Sequence, residues 1–292
     1  MNRFWVKARK DKAFLFSAVL VLILLAVSVT ADIWIVHDPL QENFSYIMGP
    51  PNREYPCGTD HLGRCILCRI LSGAKNSLLI TFIIVFLIIS IGTILGMTAG
   101  YFGGIVDIVI MRIADILLSI PIQIFAIAMI AMLQPGIINV IIAVSVLWWT
   151  RYARLTRNKV INLRNKTFIE EARLGGESGR RIMLFYIFPE LLPELIVMAA
   201  LDVGRLILAI AGFSFLGLSS QPPIPEWGYM LSEGKQYIQK APWLMIYPGI
   251  AIFITVILFN LLGDSLRRVL SPRGKGKKKN VKDKMQLNTK GD

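Results

Sequence analysis

The chain has 292 residues, 54% of them hydrophobic and only 17% charged, with a formal net charge of +13. Its apolar residues gather in runs too long for a soluble core helix, which excludes a water-soluble globular domain and places the chain in a lipid bilayer. The positive charge does not make it a nucleic-acid binder: no aromatic residues interleave the basic C-terminal tail to stack on bases, so no nucleic-acid partner is expected.

Crossing about 30 Å of hydrocarbon takes about 20 helical residues at about 1.5 Å each. Six stretches meet this, at about 13–36, 77–102, 105–133, 137–158, 189–213 and 243–263, so the expected fold is an all-α polytopic membrane protein with both termini on one side. Arg3, Lys7, Arg9, Lys10 and Lys12 precede the first run, as in a signal peptide. That run nevertheless extends about 20 residues from Phe14, and Ala31-Asp32-Ile33-Trp34 ends it with an interfacial Trp where a cleavage site would need small residues. It reads as a retained anchor.

The segment 37–76 is rich in turn-forming positions, among them Gly49-Pro50-Pro51-Asn52 and Pro56-Cys57-Gly58-Thr59-Asp60, and reads as a folded cap or an extended loop. It holds Cys57, His61, Cys65 and Cys68. Their softness and spacing admit a metal site, a disulfide or unpaired thiols. Runs two and three are joined by Gly100-Tyr101-Phe102-Gly103-Gly104, whose glycines permit a tight turn and make the two runs antiparallel neighbours.

Basic residues collect in two places. Arg151, Arg154, Arg157, Lys159, Arg164, Lys166, Arg173, Arg180 and Arg181 lie in 151–181, and the tail includes Lys275 to Lys279, whereas 37–76 and 214–242 are near neutral. By the positive-inside rule both termini and 151–188 face the cytoplasm. Within that loop Thr167-Phe168-Ile169-Glu170 has the pattern of a capping box, and Gly175-Gly176 supplies a helix stop. The pair predicts a short rigid helix over 168–174, suited to insertion into a partner's groove. In the fifth run Asp202 and Arg205, spaced i, i+3, share a helix face and either neutralise each other or line a pathway.

These stretches together resemble the binding-protein-dependent ABC import permeases of the dipeptide, oligopeptide and nickel branch. The loop matches the family's EAA motif through Glu170-Glu171-Ala172, Gly176 and Pro189, with Glu171 in place of the usual first alanine. Agreement extends to Gly58-Thr59-Asp60 with Leu62-Gly63-Arg64, Asp107 with Met111-Arg112 and Asp115, Tyr152-Ala153-Arg154, Ser214-Phe215-Leu216-Gly217-Leu218, Gln221-Pro222-Pro223 to Glu226-Trp227-Gly228, and Asn260 to Asp264. The resemblance implies a type I importer fold with six transmembrane helices: 1–76 as tail, first helix and external loop, 77–265 as the permease core, and 266–292 as a basic tail. It also implies a coupling helix at about 168–174, a second permease subunit, two ABC ATPase subunits, an extracytoplasmic solute-binding protein and a place in the inner membrane.

No phosphate-cradling Gly-x-x-x-x-Gly-Lys-Ser/Thr occurs in the chain, so ATP is expected on the partner subunits and no cofactor on this one. A self-powered ion-coupled carrier, the rival reading, would need a titratable network at mid-depth. Leu201-Asp202-Val203-Gly204, Ala211-Gly212-Phe213 and Gln236-Tyr237-Ile238 resemble the nickel-import members more than the peptide ones, and a mid-membrane carboxylate suits a cationic or chelated cargo. The expected solute is therefore nickel, carried as a chelate, ahead of short peptides.

Overall fold

The computed structural model describes residues 7–219 and 222–270; Arg3, Gln221 and the tail from 271 onward, with Lys275 to Lys279, lie outside the described residues. What is described is helical, apart from connecting turns and one isolated bridge between Thr59 and Cys65. The principal helices are α1 (Lys12–Val29), α2 (Ile66–Phe102), α3 (Gly104–Leu118), α4 (Ile122–Leu133), α5 (Ile137–Arg164), α6 (Thr167–Leu174), α7 (Phe188–Phe215), α8 (Trp227–Gly234) and α9 (Trp243–Leu270). A π-helical turn at Ile182–Ile187 joins α7 to a short turn at Gly179–Arg181, making one rod over Gly179–Phe215.

Four helices among the described residues are long and apolar enough to cross a membrane: α1, α2, the rod ending in α7, and α9. The third expected span, 105–133, is not one helix. It breaks into α3 and α4, which are bent 88° apart. Pro121 at the break has no N–H to continue the ladder and disfavours helical geometry at Ile120. The fourth expected span becomes α5, longer than 137–158 and apolar only in its first half, before Arg151. The second starts at Ile66 instead of 77, and α9 runs on to Leu270, past the expected boundary at 265.

The most extensive helix–helix packing among the described residues is between α2 and α5. Gly92, Gly96 and Gly100 stand one turn apart on α2, and a Cβ at each would come within 2.5 Å of the Trp149 carbonyl, 2.4 Å of the Ala153 carbonyl and 2.8 Å of the Arg157 carbonyl. Lipid tails are as apolar as leucine, so helices in a bilayer associate by backbone proximity and van der Waals contact, which small residues permit. α3 then folds back against α5 through ion pairs. Arg157 donates to Asp107 at 2.7 and 2.5 Å, and Arg154 donates to Asp115 at 2.5 Å. The turn between α2 and α3 uses Gly103 and Gly104 at φ 66° and 55°, as the glycine-rich joint predicts.

The segment before α2 is a folded cap. The rings of His37 and Tyr46 stack on Tyr55 from 5.0 and 5.5 Å. A buried four-charge clamp holds the cap to α8: Asp60 accepts from Arg64 at 2.7 Å and Arg69 at 2.6 Å, and Glu233 accepts from the same two guanidiniums at 2.8 and 2.5 Å. Such a clamp is tolerable only while every charge is matched. Glu226 caps α8 by accepting the Gly228 and Tyr229 N–H groups, and the Trp227 indole donates to the Ile70 carbonyl at 3.0 Å.

Two outcomes follow for thermal unfolding of the detergent-solubilised protein. Gly96→Leu drives a side chain into the α5 backbone and costs about 3 kcal/mol or more, whereas Gly212→Ala, inside α7 where a Cβ meets nothing within 4 Å, does not lower the midpoint. Glu233→Ala leaves two buried guanidiniums sharing the Asp60 carboxylate, one positive charge uncompensated, and lowers stability by about 3 kcal/mol; an unchanged midpoint would show that the clamp does not hold the cap.

Candidate functional site

Asp202 on α7 is fully buried, and its Oδ1 accepts one guanidinium N–H from Arg205 at 3.0 Å and another from Arg151 of α5 at 3.2 Å. The i, i+3 pair expected on one face of α7 thus forms, and a second cation completes it. The side chains of Arg205 and Arg151 remain 52% and 37% exposed while that of Asp202 is 1% exposed, so the carboxylate lies behind two cations. A cationic cargo would meet guanidiniums first, which removes the argument that this carboxylate itself draws a metal ion.

The two arginines open on a groove of about 680 Å³ between α4, α5 and α7, with Gln123 and Ile127 on one side, Trp148 behind, and Leu208 and Phe213 on α7. By helical rise Arg151 lies ~20 Å from the start of α5 and Arg205 ~15 Å from the end of α7. Arg205 is therefore well inside the apolar stretch of α7, and Arg151 stands where the apolar half of α5 ends. An arginine facing lipid there costs about 2.5–3.5 kcal/mol even by the most lenient scale, so this face is made for water, solute or another protein chain. Sequence reasoning missed Arg151 by counting it with the basic loop. The available signal was its position directly after Trp148-Trp149-Thr150, at the very end of the apolar half of α5.

The loop between α5 and the α7 rod carries α6, within one residue of the expected 168–174. Its start differs from expectation. Thr167 is the first helical residue, Lys166 occupies the cap position, and no side-chain hydrogen bond caps the helix, so the capping box does not form. Its end agrees: Gly176 sits at φ +81°, the Glu177 N–H donates to the Ala172 carbonyl at 3.1 Å and the Gly176 N–H to Arg173 at 3.1 Å. That left-handed closure satisfies the last carbonyls. Ile169 is completely buried and pins α6 to the bundle, Ala172 is partly buried, and Glu170, Glu171 and Arg173 face out. Leu174 is 89% exposed, an apolar side chain held in the open on a rigid turn. Pro189 stands at the first turn of α7, on the next element.

Cys57, Cys65 and Cys68 are all free thiols. Cys65 precedes α2 and its Sγ accepts the Cys68 N–H at 3.4 Å, while burial pushes the Cys57 thiol above its ordinary range. His61 turns away from them. Its ring stacks on Tyr237 at 5.5 Å and its Nε2 lies 3.8 Å from Glu233. Among the described residues no three His, Cys, Asp or Glu side chains converge as a metal site requires, so the Cys57, His61, Cys65 and Cys68 spacing does not become one.

The family described as "Binding-protein-dependent transport system inner membrane component" matches residues 92–276. Curated relatives align over most of their own lengths. The Dipeptide transport system permease protein DppC of Haemophilus influenzae is 36% identical, over 94% of this chain and 95% of the relative. The Nickel transport system permease protein NikC of Escherichia coli is 38% identical, over 87% and 92%. The Glutathione transport system permease protein GsiD, also of Escherichia coli, is 41% identical, over 94% and 91%. Among solved structures, an inward-facing conformation of the MetNI methionine ABC transporter matches with a TM-score of 0.57 and 22% identity, covering 70% of this chain and 98% of that one; this likeness speaks for the fold.

Proposed function

Since the chain belongs to the family of binding-protein-dependent transport system inner membrane components, we propose that it walls the solute pathway of an ATP-driven importer through Asp202, Arg205 and Arg151, and takes up mechanical force at α6. The chain is the transmembrane permease subunit of an ABC importer and not an enzyme, and ATP hydrolysis belongs to a separate subunit. Its setting is a membrane, which it crosses several times.

One observation supports the coupling role above the rest: α6 sits in the short connection between α5 and the rod ending in α7, and those two helices carry the groove's charges. A partner that seizes α6 therefore moves both walls together. Glu170, Glu171 and Leu174 offer that partner two carboxylates and one apolar anchor, with Gly176 and Ala172 setting how the helix ends and seats and Pro189 starting the next rod. The full assembly comprises a second permease subunit across the groove, two ATPase subunits at the basic end and a solute-binding protein at the cap, with both termini in the cytoplasm. A self-powered carrier has less support, because Asp107 and Asp115 are each matched to an arginine.

The solute we propose is nickel carried as a chelate, or a short peptide. Relatives with either cargo in their names support both, and the Leu201-Asp202-Val203-Gly204 stretch leans to the nickel members.

Gly176→Arg imposes a side chain on a left-handed residue in open space. The protein should still insert, but lose both ATPase co-purification and uptake; normal uptake by this variant would sink the coupling role. Leu174→Asp should weaken ATPase association by about tenfold, the scale of one lost buried apolar contact. Uptake of radioactive nickel and of a labelled dipeptide, compared in cells with and without the chain, should show one of them depending on it and on internal ATP. Dependence of neither would reject both proposed solutes.

A further inference from the structure

We infer that the groove between α4, α5 and α7 is a carboxylate-binding subsite, in which Arg151 and Arg205 hold the acid group of a passing solute while Asp202 holds the arginines. The inference rests on the pathway reading above and sharpens it. Each guanidinium carries five N–H donors in a planar fork, and the structure shows one from each directed to Asp202 Oδ1. The rest of each fork belongs to a side chain that is substantially exposed.

Two cations over one buried anion leave a formal excess of one positive charge at the groove. The nearby Arg154 and Arg157 do not add to it, since each is matched to an acid on α3. The walls around the arginines are Trp148, Ile127, Leu208 and Phe213, which lower the local dielectric and strengthen any charge-assisted hydrogen bond made there. The size of the groove falls within the range of about 300–1,000 Å³ usual for small-molecule sites.

Asp202 makes the site reversible as well as selective. It holds both forks in place before a solute arrives, so little side-chain entropy is lost on binding. It also shares their charge, which keeps the solute from being trapped. A carboxylate accepts two N–H groups side by side, one reason that arginine is favoured for this recognition. The ligand class is thus a small organic acid with an apolar portion: a peptide with a free C-terminus, or a metal wrapped in carboxylate ligands. A bare divalent cation is repelled.

The test uses the assembled wild-type transporter in lipid nanodiscs, without binding protein or ATP. Phenylglyoxal labelling of Arg151, Arg205 and Arg154 is followed by mass spectrometry with L-alanyl-L-alanine, its C-terminal amide, nickel citrate or nickel chloride present. The dipeptide and nickel citrate should slow labelling of Arg151 and Arg205 by about tenfold when each is present at about ten times its dissociation constant. The amide and nickel chloride should not, and Arg154 should label equally throughout. Equal protection by acid and amide, or none by either acid, would overturn the subsite. Arginines that resist labelling even without solute would place another protein chain over them, and would overturn it too. Failure of the pathway reading is separately visible, as nickel and dipeptide uptake that is the same in cells with and without the chain while the arginines are still protected.

Discussion

The structure depends on the approach of two backbones, α2 and α5, across Gly92, Gly96 and Gly100. Water drives no apolar association inside a bilayer, so the helices must gain their contacts by coming close, and three missing side chains on one face permit it. The charged residues of α5 are placed by that contact. Residues on its glycine-facing side, Tyr152, Ala153, Thr156 and Val160, are wholly buried. Arg154 and Arg157 then reach α3, and Arg151 reaches α7.

Charge plays two opposite parts in this frame. At the cap, Asp60, Arg64, Arg69 and Glu233 match one for one and close on each other, so they fasten α8 to the start of α2 and offer little to a ligand. At the groove the count is uneven, and the surplus faces an open space. The same residue types therefore form a closed bolt in one place and an unbalanced, open cluster in the other. Stoichiometry and exposure decide which.

Much of this was legible in the chain. Gly175-Gly176 marked the end of α6 correctly because a left-handed residue there leaves few alternatives, and the tight joint at Gly103-Gly104 was readable for the same reason. Its start was misread because Thr167 and Glu170 also suit a helix interior, and the helix absorbed both. The break at Pro121 was written in the sequence but hidden by an unbroken apolar run, which hydropathy scores without regard to backbone geometry. Arg151 and the cap clamp were beyond local reasoning. Asp60 and Glu233 meet only through the tertiary fold, and a lone arginine near a basic loop looks like a topology signal until α7 is seen beside it.

The enclosed position of Asp202 also limits how such a permease can diverge. Removing one arginine weakens the hold on a buried carboxylate, and removing both leaves it uncompensated where charge is least tolerated. Inverting the sign of the groove would therefore need three coordinated replacements on two helices, with poorly folding intermediates between. Leu208 and Gly212, which line the same space without supporting a charge, can vary one at a time. Descendants of this chain can readily change the size and shape of this groove, while its charge is inherited.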